Sequence, residues 1–384
     1  MSLTSRKLFS SCLQLPKIEK LAIRTLFSKT SLGLENYDRT REKVKFQFRE
    51  MEDRFRSKMT DFVAPDSKNM VFTEDLKNML YLAEGNDEDL QLLEKMMLKY
   101  KEQNSELRFG SFIFGPVIMR TYHTLNKPKE ALKAFNNPAL KGMFDQLGSY
   151  QILLDLLYEN KMYNEMLTIT DYVLNQQHHS TRYPRNVVVL TLAACYKINS
   201  PDSLKYMSKF WKDLIDAGHL PMRRAITFAA GLAINQGSPH IALELLTETA
   251  RQNYVTIRSL KVSALTDLNR LDDVLPILRS VLGFDTNSNL KQTFNKDVIE
   301  KYKLAVKKLN KKDITLEFER IYEQLTNQGH IVNTSLDELL CSEIEAIDRN
   351  LQLRDQRMVA ASFNYNRDAR NRRFPTRPGL QDIL

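Results

Sequence analysis

Six times along the chain a helical stripe of apolar residues runs into a short polar turn, and a second stripe begins on the far side. In the clearest copy Ile226, Ala229, Ala230 and Ala233 precede Asn235-Gln236-Gly237-Ser238, and Ala242, Leu245 and Leu246 follow. Another copy sets Tyr150, Leu153, Leu154 and Leu157 before Asn160-Lys161-Met162, with Met166, Leu167 and Ile169 after it. Taking Gly237 as anchor, the equivalent turn residues are Gly85, Asn126, Lys161, Asn199 and Asn269, at intervals of 41, 35, 38, 38 and 32 residues. A period of about 37 residues predicts stacked helical hairpins, because one hairpin exposes an apolar face that only its neighbours can bury. Pro128, Pro201 and Pro239 stand just past three of the turns, where a helix start loses nothing from a missing N–H. Beyond the sixth hairpin, Val298, Tyr302, Ala305 and Val306 form one more stripe and Ile314, Phe318, Ile321 and Leu325 another, a pair expected to cap the stack.

Composition changes this picture little. Charged residues make up 27% and hydrophobic ones 42%, with 12 Gly, 12 Pro and no alternating pattern of useful length, so the fold class is all-α without a sheet. The lone tryptophan, Trp211, falls beside Phe210, Leu214 and Ile215 and reads as core. The expected divisions are a leader over 1–34, an N-terminal helix and linker over 35–66, the repeat solenoid over 67–292, capping helices over 293–350 and a basic tail, read as disordered, over 351–384.

The leader obeys different rules from the rest. Arg6, Lys7, Lys17, Lys20, Arg24 and Lys29 face one acid, Glu19, amid many Ser and Thr, and Lys17, Lys20 and Arg24 share a helical face opposite Ile18, Leu21, Ala22 and Leu26. That is the composition of a mitochondrial transit peptide. Its apolar runs are too short to cross a membrane, and no membrane insertion is expected. Cys12, Cys195 and Cys341 show no pairing motif.

Charge then locates where a polyanion could sit. The net charge of +9 resides in the first and last 34 residues, while positions 35–350 hold 43 cations and 43 acids. Generic affinity for nucleic acid comes from neutralised phosphates, so it must come from local patches or the tail. The candidates for backbone binding are Arg223, Arg224, Lys307, Lys308, Arg367, Arg370, Arg372 and Arg373, with a further patch from Arg39 to Arg49. Phe363, Tyr365 and Phe374 interleave with the tail arginines and suit base stacking.

The hairpins resemble pentatricopeptide repeats. An aromatic-polar start at Ser149-Tyr150-Gln151, an apolar first helix, a short turn and then Asn164-Glu165-Met166-Leu167 match that pattern, as does Leu271-Asp272-Asp273-Val274-Leu275. The resemblance implies a right-handed superhelical solenoid that binds RNA in the mitochondrial matrix. It further implies a part in maturing respiratory-chain transcripts such as that of cytochrome b, beside a processing nuclease or ribosomal proteins. In this family a polar first-helix residue reads one base per repeat. Ten residues before each anchor stand Asp75, Pro116, Gln151, Val189, Thr227 and Ser259. Gln151, Thr227 and Ser259 are therefore the base-reading candidates, and the poor fit of Asp75, Pro116 and Val189 keeps a second reading open. That reading is a protein-interaction scaffold in ribosome or respiratory-complex assembly.

Catalytic chemistry is not indicated. The six histidines lack zinc spacing with cysteine, the acidic run from Glu84 to Asp89 lacks the calcium-loop pattern, and there is no phosphate-cradling glycine loop or nucleophile elbow. The expectation is a non-enzymatic protein with no cofactor and no metal.

Overall fold

The computed structural model describes residues 26–107, 112–176, 182–249, 252–282 and 292–345. After a short N-terminal segment come α1 (Lys29–Leu32), α2 (Leu34–Phe48) and α3 (Glu52–Phe62). Hairpins then follow one another: α4 (Thr73–Leu82) with α5 (Asp87–Leu107), α6 (Gly115–Thr124) with α7 (Pro128–Asn136), and α8 (Leu147–Glu159) with α9 (Tyr163–Gln176). The series continues through α10 (Arg185–Ile198) with α11 (Pro201–Asp216), α12 (Arg223–Asn235) with α13 (Pro239–Thr247), and α14 (Val255–Asp267) with α15 (Val274–Leu282). A last hairpin pairs α16 (Lys296–Leu309) with α17 (Lys312–Asn327), and α18 (Leu336–Leu340) follows. Sheet among the described residues amounts to two short parallel strands, β1 (Phe294–Asn295) and β2 (Ile331–Val332).

Every anchor read from the sequence occupies left-handed backbone. Gly85, Asn126, Lys161, Asn199, Gly237 and Asn269 have φ of 80°, 51°, 59°, 48°, 71° and 56°. A residue in that region reverses the chain while its N–H and its successor's return to the last carbonyls of the helix: Gly237 N bonds Ile234 O and Ser238 N bonds Ala233 O. Asn310 does the same with φ 51°, so the expected capping pair is built as a seventh hairpin. Pro128, Pro201 and Pro239 each open the second helix of their hairpin, and Ser200 caps α11 through Ser203 N.

The helices form two layers. The first helices α4, α6, α8, α10, α12, α14 and α16 pack in succession, and α7, α9, α11 and α13 each wedge against the first helix of the next hairpin. Burial follows from this geometry: Val187 to Tyr196 on α10 and Ala225 to Ala233 on α12 are buried all round. The core is divided at α14 into two clusters, with Leu260 and Ala264 packed into the one formed by the earlier repeats and Val262 and Leu265 into the one formed with the last hairpin. Trp211 packs partly buried against this core.

Both ends of the described chain return to the inner layer. Leu26 and Phe27 are buried, and Ile344 N donates to Leu26 O at 2.8 Å while Ser28 N donates to Ile344 O at 3.1 Å, tying the two ends together. Residues 26–34, which the composition assigned to the leader, are thus part of the folded body. No helix among the described residues is long and apolar enough to cross a membrane.

Candidate nucleic-acid interface

The N-terminal ends of α8, α10 and α12 open onto a cleft of about 730 Å³. It exists because α11 stops at Gly218, φ 75°, whose amide returns to Ile215 O, and the chain then swings outward through His219 and Leu220 before α12 begins. Gln151 lines this cleft, one of the three base-reading candidates. Its Oε1 accepts from Asn186 Nδ2 at 2.8 Å, which fixes the amide and leaves Nε2 without a partner. Arg185 stands exposed beside it. The Tyr183 ring meets His219 edge-on at 5.3 Å and is backed by Phe210 at 5.7 Å. Arg185 is exposed and His219 partly so, and these two can reach a phosphate and a base edge, while the Gln151 Nε2 and the Tyr183 ring behind them are buried.

Thr227 and Ser259, the other two base-reading candidates, are buried. Thr227 is 1% exposed and donates to Arg224 O at 2.9 Å; Ser259 is 0% exposed and donates to Asn295 Oδ1 at 2.9 Å. Both hydroxyls are spent inside the fold, because the first helices are covered on the face that carries them. Arg224 likewise turns inward. Its Nη1 donates to Leu339 O and Leu340 O, and its Nη2 to the Ser342 carbonyl and hydroxyl, all between 2.7 and 3.2 Å. Burial depresses its affinity for a proton, an effect a guanidinium tolerates without losing its charge.

The other basic candidates divide differently. Arg223 lies over the Tyr254 ring at 3.8 Å and stays partly exposed. Lys307 and Lys308 project to solvent from the last turn of α16, where cations complement the helix dipole. In the Arg39 to Arg49 patch, Arg41 serves the carbonyls of Tyr81 and Ala83, and Lys45 pairs with Glu84 at 2.8 Å. Arg367, Arg370, Arg372 and Arg373, the tail aromatics, the leader up to residue 25 and the pair His178-His179 lie outside the described residues.

One cluster was invisible to sequence spacing. His123 of α6 places Nε2 3.2 Å from Asp155 Oδ2 and 3.7 Å from Glu159 Oε1, both on α8. Asp155 is fully buried, and its Oδ1 accepts the Phe27 N–H at 3.2 Å. Burial raises both carboxyls above their ordinary range, Glu159 to about 7 with His123 pulling the other way. Both Asp155 oxygens are therefore engaged, one by the imidazole and one by the N-terminal segment. The 32-residue gap between His123 and Asp155 carries no signature; only the stacking of α6 on α8 brings them together.

Consecutive helical hairpins with left-handed turns, stacked first helix on first helix, define a helical-repeat solenoid protein. No protein-family model matches the chain. It is similar to proteins named "Pentatricopeptide repeat-containing protein 2, mitochondrial": 28% identical to that of Mus musculus over 294 residues, 76% of this chain and 75% of the relative. The Homo sapiens protein of that name is 24% identical over 292 residues, and the Xenopus laevis one 26% identical over 274. The pentatricopeptide resemblance drawn from Ser149-Tyr150-Gln151 and its companions agrees with these relatives.

Proposed function

We propose that this chain is a mitochondrial matrix protein that binds single-stranded RNA and assists transcript maturation without catalysing it. The observation that carries the reading is the cleft at the ends of α8, α10 and α12, where the exposed Arg185 and the partly exposed His219 stand beside Gln151, whose buried Nε2 has no partner. The relatives' names, pentatricopeptide repeat-containing and mitochondrial, support the ligand class and the compartment. Transcripts of respiratory-chain subunits such as cytochrome b are the targets the resemblance implies. Arg223, Lys307, Lys308 and the tail arginines Arg367, Arg370, Arg372 and Arg373 supply the backbone contacts in this reading.

The test is binding of a mixed-sequence 20-nucleotide single-stranded RNA across a salt series. Log affinity should fall linearly with log salt, and Arg185→Ala should flatten the slope by about 0.7, the value of one phosphate contact on a single strand. Gln151→Ala should shift preference among sequences and leave the slope unchanged, because an amide carries no charge. Absence of salt-dependent binding refutes the proposal. The scaffold reading draws on Leu220, which stands 84% exposed at the mouth of the cleft and suits a protein partner. Mitochondrial partners that co-purify undiminished after nuclease treatment would favour it.

A further inference from the structure

The inner face of the solenoid is occupied by the chain's own two ends. On the N-terminal side Arg120 of α6 donates to Leu32 O at 2.9 Å and Asp155 of α8 takes the Phe27 N–H. On the C-terminal side residues 335–345 turn away from the last hairpin and run back along the first helices. Asp297 accepts Leu336 N at 2.8 Å, Lys197 of α10 pairs with Asp337 at 3.1 Å, and Arg224 of α12 holds Leu339 to Ser342. Leu340 is buried so close to α12 that a Cβ placed on Gly231 would fall 3.2 Å from its Cδ1. Arg224 and Gly231 both meet the strap, and Thr227 lies between them at helical spacing on the same stripe of α12. At its root, Ser259 is bonded through Asn295 to Thr334 O.

Thr227 thus lies on the stripe that the strap meets and Ser259 at the strap's root, on a face where Lys197, Arg224 and Asp297 bond the strap. We propose that residues 335–345, locked to residues 26–28, form an intramolecular gate that competes with single-stranded RNA for the inner face. The inference rests on the RNA-binding reading and adds regulation to it: with the gate closed, RNA meets the edge cleft at Gln151 and the outward cations, and displacement of the strap uncovers the stripe that carries Thr227. The strap is held by hydrogen bonds to its carbonyls, one half-exposed ion pair and the burial of Leu340 and Cys341; the polar groups find water when it leaves, and the Leu340 contact sets the cost of opening. The rest of the solenoid keeps its own core.

The gate is tested in the full chain with Leu340→Asp, which sets a charge in a buried site of the strap and leaves the helical hairpins untouched. Release is read independently of RNA by maleimide labelling of Cys341, which is buried in the closed form. Affinity is read with the same 20-nucleotide RNA. The expected result is faster Cys341 labelling together with binding on the order of tenfold tighter, because the competent fraction rises. The substitution adds negative charge, so electrostatics alone would give the opposite sign. Should Leu340→Asp fail to fold, Arg224→Gln loosens the same strap and also removes a cation, and the same gain is expected. Labelled Cys341 with unchanged or weaker RNA binding overturns the gate while the RNA reading stands on the wild-type protein. Salt-dependent binding in neither protein overturns both.

Discussion

Asp155→Ala should destabilise the fold by about 3 kcal/mol and loosen the N-terminal segment first. The carboxylate is fully buried and its two oxygens hold Phe27 N and His123 Nε2, each at 3.2 Å. Alanine leaves the Phe27 N–H without an acceptor in a residue that is itself buried, which costs about 1–3 kcal/mol. His123 loses its nearer partner as well, but Glu159 at 3.7 Å can close on the imidazole, so that loss falls at the lower end of the same range. Asp155→Asn keeps a carbonyl oxygen for Phe27 and should cost about 1 kcal/mol. Urea unfolding gives the two free energies, and amide exchange at Ser28 and Ile344, whose N–H groups bond Ile344 O and Leu26 O beside that anchor, reports the local loosening. An alanine variant within about 0.5 kcal/mol of wild type would show that the His123–Asp155–Phe27 bridge contributes nothing, and the account of how the N-terminal end is held would fail.

The turn geometry predicts opposite signs at two equivalent sites. Gly237→Ala meets no atom within 4 Å, so its cost of about 1 kcal/mol is the left-handed backbone alone, whereas Lys161→Gly should stabilise by up to about 1 kcal/mol, both read from thermal melts. Ala242→Asp puts an unpaired carboxylate in a fully buried hairpin contact and should cost about 3 kcal/mol or more; an unchanged melting temperature would contradict the packing. Glu159 titrates at about 7 when folded against 4.5 as a free side chain, so the folded state binds the proton more tightly. This group's contribution to stability is therefore fully present below pH 4.5 and is lost as pH rises through about 7, a fall of about 2 kcal/mol once its partial exposure to solvent is discounted, and Glu159→Gln should flatten that part of the profile. If the leader is cleaved, N-terminal sequencing of the mature protein should find its first residue at or before Leu26, because Leu26, Phe27, Leu32 and Leu34 are all core; a start beyond Leu34 would contradict the fold.

What could be read from the chain was local. Gly85, Asn126, Lys161, Asn199, Gly237 and Asn269 announce themselves because glycine and asparagine tolerate the left-handed turn, and Lys161 was recoverable only from the apolar stripes on either side. What could not be read depends on segments far apart in sequence. The stripe of Leu26, Leu32 and Leu34 serves equally as the apolar side of a targeting helix or as core, and its partner Ile344 is more than 300 residues away. Arg223 and Arg224 show the same limit at one peptide's distance. As neighbours on α12 they point about 100° apart, so one lies over Tyr254 with an edge to solvent and the other turns inward to four acceptors on the strap. A pair of adjacent cations reads as one basic patch until the helix divides it between a surface and an interior. The positions Thr227 and Ser259 are buried in the same way: one hydroxyl turns back to Arg224 O of its own helix and the other to Asn295 at the start of α16, partners that the repeat register does not specify.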